Sequence, residues 1–139
     1  MENQQGEGAE VCTFGLHLTL DGYGGNSEKL NDPELVKRVL DELPGKIGME
    51  KISEPIVLKA EPRNVKDGGG YSGFVVIAES HISVHTFPKR KFVTADVYTC
   101  RDELDKDFTV EYFKNVFELE DMEINFFKRG TRFPKNDLA

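Results

Sequence analysis

The chain has 139 residues, of which 38% are hydrophobic and 31% are charged, and its formal net charge is −7. This length predicts a single domain, residues 1–139, that can bury a sizeable core. The acidic balance argues against a nucleic-acid-binding surface, which needs a basic patch. No apolar run approaches the roughly 18 residues that a membrane-spanning helix requires. We therefore expect a globular protein with neither nucleic-acid nor membrane partners.

The N-terminal segment and the cysteines predict the compartment. Residues 1–10 are polar and acidic and lack the apolar core of a signal peptide. Cys12 and Cys100 are too few for a disulfide framework, and no His/Cys spacing resembles that of a zinc site. These features predict a reduced, cytoplasmic protein without a bound metal. The polar tail, residues 131–139, is expected to be loose.

The first half of the chain contains a strand pattern followed by a helix pattern. Apolar and polar residues alternate over 14–21, which is typical of a half-buried strand. Its polar face carries His17, Thr19 and Asp21.

The helix pattern begins at a proline. Pro33 favours the first helical position, so Asn31 or Asp32 is expected to be the N-cap. The apolar stripe that follows should end at Pro44 and Gly45.

The second half predicts further strands and one more helix. Strands are expected at residues 55–59, 74–77, 93–100 and 123–128. The β-branched run at 74–77 is typical of a buried strand. Thr109 is expected to cap a helix whose inward-facing residues are Tyr112, Phe113, Val116 and Phe117.

This order of elements predicts an α/β fold of the α+β kind. It would be a two-layer sandwich with a mainly antiparallel sheet and helices on one face. The other face, which carries His17, Thr19 and Asp21, is of the kind that a partner chain commonly covers.

The run Ala-Glu-Ser-His-Ile-Ser-Val-His-Thr at residues 78–86 carries the clearest chemical signal. His81, Ser83 and His85 alternate with apolar residues and therefore share one face of a strand. The next strand ends in Cys100. If the two strands pair, Ser80, His85 and Cys100 can converge as nucleophile, base and acid.

Each of these residues also has a purely structural interpretation. A single cysteine in a strand is more often a small buried hydrophobe than a catalyst. A strand histidine is usually a hydrogen-bonded structural residue, and Ser80 could simply end a strand. The arrangement of three such residues is more informative than any one of them.

Residues 77–86, followed by Asp-Val-Tyr-Thr-Cys at 96–100, closely resemble the short bacterial and archaeal S-adenosylmethionine decarboxylases. A looser similarity extends from about residue 14 to residue 129 and includes His17 and Asp21. Members of this family are proenzymes that cut themselves and carry a covalent pyruvoyl group. The resemblance also implies a homodimer of cleaved protomers and a small-molecule substrate.

The resemblance implies a role for each residue of the motif. Cleavage between Glu79 and Ser80 would give chains 1–79 and 80–139. Ser80 would become the pyruvoyl group, which forms a Schiff base with the substrate amine, without pyridoxal phosphate or a metal. His85 would be the processing base, assisted by Ser72. Cys100 would be the proton donor after loss of CO2, and a thiol is mostly protonated at neutral pH.

The substrate-binding positions depart from the family pattern. Lys89 stands where a glutamate typically binds the ribose hydroxyls, and Phe87 replaces a tryptophan. The aromatic residue that stacks on adenine aligns with Lys66 or with the glycine loop. A lysine cannot accept hydrogen bonds from hydroxyl groups. Alternatively, Lys89 belongs to a solvated strand edge that discourages edge pairing.

Three functions remain open on the sequence. The first is decarboxylation of S-adenosylmethionine, which supplies the aminopropyl donor for polyamine (spermidine) biosynthesis. The second is decarboxylation of free arginine or ornithine, whose distal cation would need a carboxylate. Candidates for it are Asp21, Asp67 and Asp96. The third is a non-processing regulatory homologue, which the intact serine, histidine and cysteine argue against.

Overall fold

The computed structural model describes residues 10–66 and 68–135. In chain order its main elements are β1 (Val11–Cys12), β2 (Gly15–Tyr23), α1 (Ser27–Leu30), α2 (Pro33–Lys46), β3 (Ile56–Ala60), β4 (Gly70–Ile77), β5 (Ser80–Phe87), β6 (Phe92–Thr99), α3 (Lys106–Phe117), β7 (Asp121–Arg129) and β8 (Phe133–Pro134). Six strands form one sheet in the order β3-β4-β5-β6-β2-β7, and every neighbouring pair is antiparallel.

The helices cover one face of this sheet, as the sequence predicted. The apolar stripe of α2 is buried, as are Phe113 and Phe117 of α3. They belong to one hydrophobic core with residues of the central strands, such as Leu18, Ile82 and Val97. Burying each such side chain contributes about 1.5–3 kcal/mol. The two-layer α+β sandwich is therefore confirmed.

Helix α2 begins as predicted but ends later. The Asp32 side chain accepts hydrogen bonds from the N–H groups of Glu34 and Leu35 at 3.0 and 3.2 Å. The predicted end at Pro44 is wrong, because the helix continues to Lys46. Pro44 lacks only its own backbone donor, and the Ile47 N–H still donates to the Leu43 carbonyl at 3.1 Å, so the helix continues past the proline. The left-handed turn that follows falls at Gly48, with φ of 76°.

Helix α3 is capped by a residue other than the predicted one. Asp105 is the N-cap, and its carboxylate accepts from the N–H of Phe108 at 3.0 Å. Thr109 lies one turn inside the helix, fully buried, and its hydroxyl donates to the Asp105 carbonyl at 2.7 Å. The predicted cap, Thr109, is wrong by four residues, because a buried threonine can satisfy its hydroxyl within the helix.

No helix among the described residues covers the second sheet face, which we call the open face. His17, Thr19 and Asp21 lie on it and are partly buried. Strand β4 therefore alternates instead of being buried throughout, and Phe74 is 42% exposed. The prediction of a fully buried strand at 74–77 is wrong because helices pack against one side of it.

The end of the described chain is more ordered than expected. Strand β8 pairs with β1, and the Lys135 N–H donates to the Glu10 carbonyl at 3.1 Å. The Phe133 ring packs on Phe14 with centroids 4.9 Å apart. This aromatic contact explains why the segment is ordered although it is polar. The expectations for residues 1–9 and 136–139 lie outside the described residues. Among the helices described, none has both the length and the apolarity to span a membrane.

Candidate active site

The predicted scissile bond lies in the tight turn between β4 and β5. Ile77 and Ser80 are paired, so Ala78 and Glu79 are the two turn residues. Glu79 has φ of 55°, a left-handed conformation that costs a residue with a side chain about 1–3 kcal/mol. The Ala78 N–H donates to the Glu50 carbonyl at 3.2 Å, which holds the turn from outside.

Ser80 and Cys100 are brought together at this turn. Ser80 is only 8% exposed, and its Oγ accepts a hydrogen bond from the Cys100 N–H at 3.1 Å. The Cys100 Sγ donates to Glu79 Oε1 at 3.4 Å. The nucleophile, the thiol and the residue to be cut therefore form one cluster.

The surroundings of the thiol favour its protonated form. Desolvation raises the pKa of Cys100, and the hydrogen bond to Glu79 raises it further. Because the thiolate is disfavoured, Cys100 carries a proton at neutral pH. That protonation state is the one a proton donor needs.

His85 does not join this cluster within one chain. It lies on the open face, whereas Ser80 points to the helix side with Ile82 and Val84. At a rise of roughly 3.3 Å per residue, the two positions are also about 16 Å apart along β5. The predicted convergence of His85 with Ser80 is therefore wrong for a single protomer, because an odd residue separation in a strand reverses the face.

His85 is paired with Ser72 instead. The two residues are opposite each other in the β4–β5 ladder, and His85 Nδ1 lies 2.8 Å from Ser72 Oγ. The resemblance pairs these two residues in processing, and the structure brings them into contact.

The predicted substrate-binding residues are distributed over two cavities. Lys66 and Phe87 line a cavity of about 550 Å³. Its other lining residues are Tyr23, Asn64, Arg90 and Phe92. Lys89 lines a separate cavity of about 280 Å³ with Lys59 and the glycine loop.

Lys89 is exposed, but it is not on a strand edge. It lies in the short 3-10 turn Pro88–Arg90 that joins β5 to β6, two strands inside the sheet. The strand-edge interpretation is therefore wrong. Asp21 lies on the open face, where its carboxylate accepts from the Thr94 hydroxyl at 2.7 Å. Asp67 lies outside the described residues.

A hydrogen-bonded cluster on the open face was not anticipated from the sequence. The carboxylate of Asp96 contacts His17 Nε2 at 2.6 Å and His81 Nε2 at 3.0 Å, and it accepts from the Ser83 hydroxyl. Burial opposes ionisation, but these hydrogen bonds outweigh it and lower the pKa of Asp96. The sequence contained one signal for this cluster. Polar residues alternate in each of three strands, and these strands are neighbours in the sheet.

His17, His81 and Asp96 could also be considered as metal ligands, since their ligand atoms lie within 4.8 Å of one another. Arg129 argues against this use. Its guanidinium, which can only donate, lies 2.8 Å from His17 Nδ1. The neutral ring must then carry its proton on Nε2, the atom that a metal would need. The contacts therefore favour a network of hydrogen bonds around Asp96 over a metal site.

The chain matches a known family over most of its length. The family model described as S-adenosylmethionine decarboxylase matches residues 16–130. The S-adenosylmethionine decarboxylase proenzyme of Pyrococcus furiosus is 32% identical over 118 residues, which cover 85% of this chain and 80% of that protein. The proenzyme of Caldicellulosiruptor saccharolyticus is 33% identical over 117 residues, covering 84% and 89%.

A solved structure supports the same assignment. The adenosylmethionine decarboxylase of Aquifex aeolicus superposes with a TM-score of 0.75 at 27% identity, covering 91% of this chain and 99% of that one. The fold thus agrees with that of an adenosylmethionine decarboxylase. The chain belongs to the S-adenosylmethionine decarboxylase family.

Proposed function

We propose that this protein is a proenzyme that cuts itself between Glu79 and Ser80 and then decarboxylates S-adenosylmethionine through a pyruvoyl group. The observation that carries the proposal is the contact cluster of Glu79, Ser80 and Cys100 at a strained turn. Family membership supplies the substrate class. The product would provide the aminopropyl donor for polyamine synthesis.

The cleavage step uses groups already at the turn. The Ser80 Oγ bonds to the Glu79 carbonyl carbon as the peptide C–N bond breaks, which gives an ester and a free Ser80 amine. A base, the role given to His85, then takes the Ser80 Cα proton, and the electron pair expels the Glu79 carboxylate and leaves dehydroalanine. Water hydrolyses that residue, with release of ammonia, to the pyruvoyl group. The left-handed Glu79 favours the first step because the strain is released when the peptide bond is cut.

Residues of this chain are suited to the group that Ser80 would become. When formed, the pyruvoyl group supplies an electron sink for the carbanion that remains after CO2 departs. Cys100 is next to Ser80 and is held in its protonated form. It would deliver its proton to the substrate carbon, and the thiol would then recover a proton from solvent.

We also propose that the active form is a homodimer that packs through the open face. Several apolar side chains are exposed there. They are Ile56 at 44%, Leu58 at 64%, Phe74 at 42% and Phe127 at 44%. His85 and Ser72 are on this face but far from Ser80 of their own chain. A two-fold axis that runs the two β5 strands in opposite directions would bring each His85 towards the cleavage turn of the other copy, from the side opposite the Ser80 side chain.

The larger cavity lies at the end of β5 opposite Ser80, so in the proposed dimer it would serve the Ser80 of the other copy, and its lining suits a substrate with a flat base. Phe92 packs against both Tyr23 and Phe87, with ring centroids 5.3 and 5.8 Å apart, and the three rings form an aromatic wall. Stacking on such a wall suits adenine. Lys66 and Arg90 at the same cavity would repel the distal cation of arginine or ornithine. A cytoplasmic location is part of the proposal, since Cys12 and Cys100 are both free.

A CO2-release assay tests the substrate. Purified protein is incubated separately with carboxyl-labelled S-adenosylmethionine, arginine and ornithine, and Ser80→Ala serves as the blank. We expect release from S-adenosylmethionine, none above the blank from the other two, and none from Ser80→Ala with any of them. Release from arginine or ornithine alone would contradict the proposed substrate and leave the self-cleavage intact.

A further inference from the structure

A cavity of about 270 Å³ opens beside the cleavage turn. Its walls include Glu50, Glu79, Cys100 and Arg101. Glu79 and Cys100 place it at the reacting atoms of the proposed enzyme. Whatever binds to the group formed from Ser80 therefore has this cavity as its immediate surroundings.

Arg101 is the only cation among the described residues that line this cavity. Its Nη1 donates to the carbonyl of Gly48, which also lines the cavity, and this contact holds the guanidinium in place. Within residues 10–66 and 68–135, no carboxylate forms an ion pair with it. A guanidinium has five N–H donors, so most of them remain for a ligand.

We infer that Arg101 binds the α-carboxylate of the amino-acid substrate. This inference rests on the proposed function, because an amino acid that reacts at Ser80 must bring its carboxylate within a few ångströms of that position. Glu50 and Glu79 line the same cavity and would repel a third anion. Arg101 offsets that repulsion with charge-assisted hydrogen bonds in bidentate geometry.

The position of Arg101 in the chain suits this role. It directly follows Cys100, and its N–H donates to the Thr99 hydroxyl at 3.1 Å, which fixes the backbone after β6. The proton donor and the carboxylate-binding group are therefore mounted on adjacent residues. Because the ion pair exists before CO2 leaves and not afterwards, it should contribute to substrate binding more than to the chemical step.

Arg101→Gln separates the two contributions. We expect KM for the amino-acid substrate to rise roughly 10- to 100-fold, the effect of losing hydrogen bonds to a charged group, while kcat changes by less than about threefold. By titration calorimetry, binding of the decarboxylated product amine should be unchanged, since it has no carboxylate. Arg101→Lys should recover part of the loss. Arg38→Gln, an exposed arginine on α2, is the matched control.

The calorimetry is run in the Ser80→Ala background, which cannot turn the substrate over. It uses both members of each pair, S-adenosylmethionine and its amine, and arginine and its amine, so that the comparison does not depend on which substrate the enzyme uses. Equal losses for acid and amine would overturn the inference and assign Arg101 to the support of the turn. Unchanged binding of both would overturn it as well. Absence of self-cleavage in the wild type would instead contradict the proposed function, and the calorimetric comparison on the uncut chain still decides the role of Arg101.

Discussion

The Ser80 hydroxyl oxygen accepts a hydrogen bond from the backbone N–H of Cys100 at 3.1 Å, across the end of the β5–β6 hairpin. This contact links the residue that would start the cleavage to the residue that would end the catalytic cycle. It also occupies a lone pair of the oxygen and orients it at the base of the turn that contains Glu79. One buried position thus serves both the processing and the decarboxylation that we propose.

Removing the Cys100 thiol should separate these two activities. Cys100→Ala keeps the backbone N–H that contacts Ser80, so we expect self-cleavage to proceed. Turnover should fall by about 10²- to 10⁴-fold, the usual cost of losing a general acid. Cys12→Ala, at an exposed cysteine, is the control and should have no effect. Unchanged turnover in Cys100→Ala would remove the thiol from the mechanism.

His85 should act on processing. We expect His85→Ala to slow self-cleavage by about 10²- to 10⁴-fold, and Ser72→Ala to slow it less, because Ser72 acts through its 2.8 Å contact with the imidazole. The fraction cut is followed over time by denaturing electrophoresis.

Mixing variants tests whether the histidine acts between chains. Ser80→Ala retains His85 but cannot be cut, whereas His85→Ala retains Ser80. When the two are co-expressed, mixed dimers should restore cutting of the His85→Ala chains. If these chains stay uncut in mixed dimers, the partner chain does not supply the base.

The Asp96 network should contribute stability that depends on pH. Hydrogen bonds from Ser83, His17 and His81 outweigh burial and lower the pKa of Asp96 below its ordinary value of 3.8. A lowered folded-state pKa means that the stabilisation is present above about pH 4 and is lost as the pH falls through the folded value.

Asp96→Asn should therefore lower the free energy of unfolding at pH 7 by about 1–3 kcal/mol. The loss should begin to shrink below about pH 4, where the unfolded chain takes up the proton, and should disappear as the pH falls through the lower pKa of the folded carboxylate. Urea unfolding at pH 3, 5 and 7 measures the difference, with the exposed Asp102→Asn as control. A loss that is the same at all three values would contradict the account.

Lys89 should limit the use of S-adenosylmethionine. Lys89→Glu would introduce an acceptor for ribose hydroxyls, and one such bond to a charged group is worth about 1.5–3 kcal/mol. We expect kcat/KM for S-adenosylmethionine to rise by about tenfold or more. Lys91→Glu makes the same charge change next to this turn and should have a much smaller effect. Equal effects of the two variants would point to overall charge instead of a specific contact.

The sequence predicted the parts of this structure that depend on local pattern. Alternation located β2, and Pro33 after Asp32 located the start of α2, because capping and periodicity are properties of a few adjacent residues. The predictions for Thr109 and Pro44 are wrong. Burial decides the role of the threonine, and position within the last helical turn decides that of the proline. Neither is visible without the tertiary packing.

The candidate site could be predicted only where its residues are close in sequence. Cys100 follows Ser80 by twenty positions, and one hairpin is enough to bring them together. The Asp96 network needs His17 from a strand that is distant in sequence but adjacent in the sheet, so it could not be seen. His85 and Ser80 are separated by an odd number of positions in one strand. The sequence therefore already indicated that the two side chains lie on opposite faces of the sheet.

The most direct test of the central claim is the intact mass of the purified wild-type protein and of Ser80→Ala. We predict two wild-type chains, residues 1–79 and 80–139, the second with a pyruvoyl group in place of its N-terminal serine and therefore refractory to N-terminal sequencing. Ser80→Ala should remain a single chain of 139 residues. A wild-type protein that stays uncut after prolonged incubation, or one cut at another bond, would contradict the account.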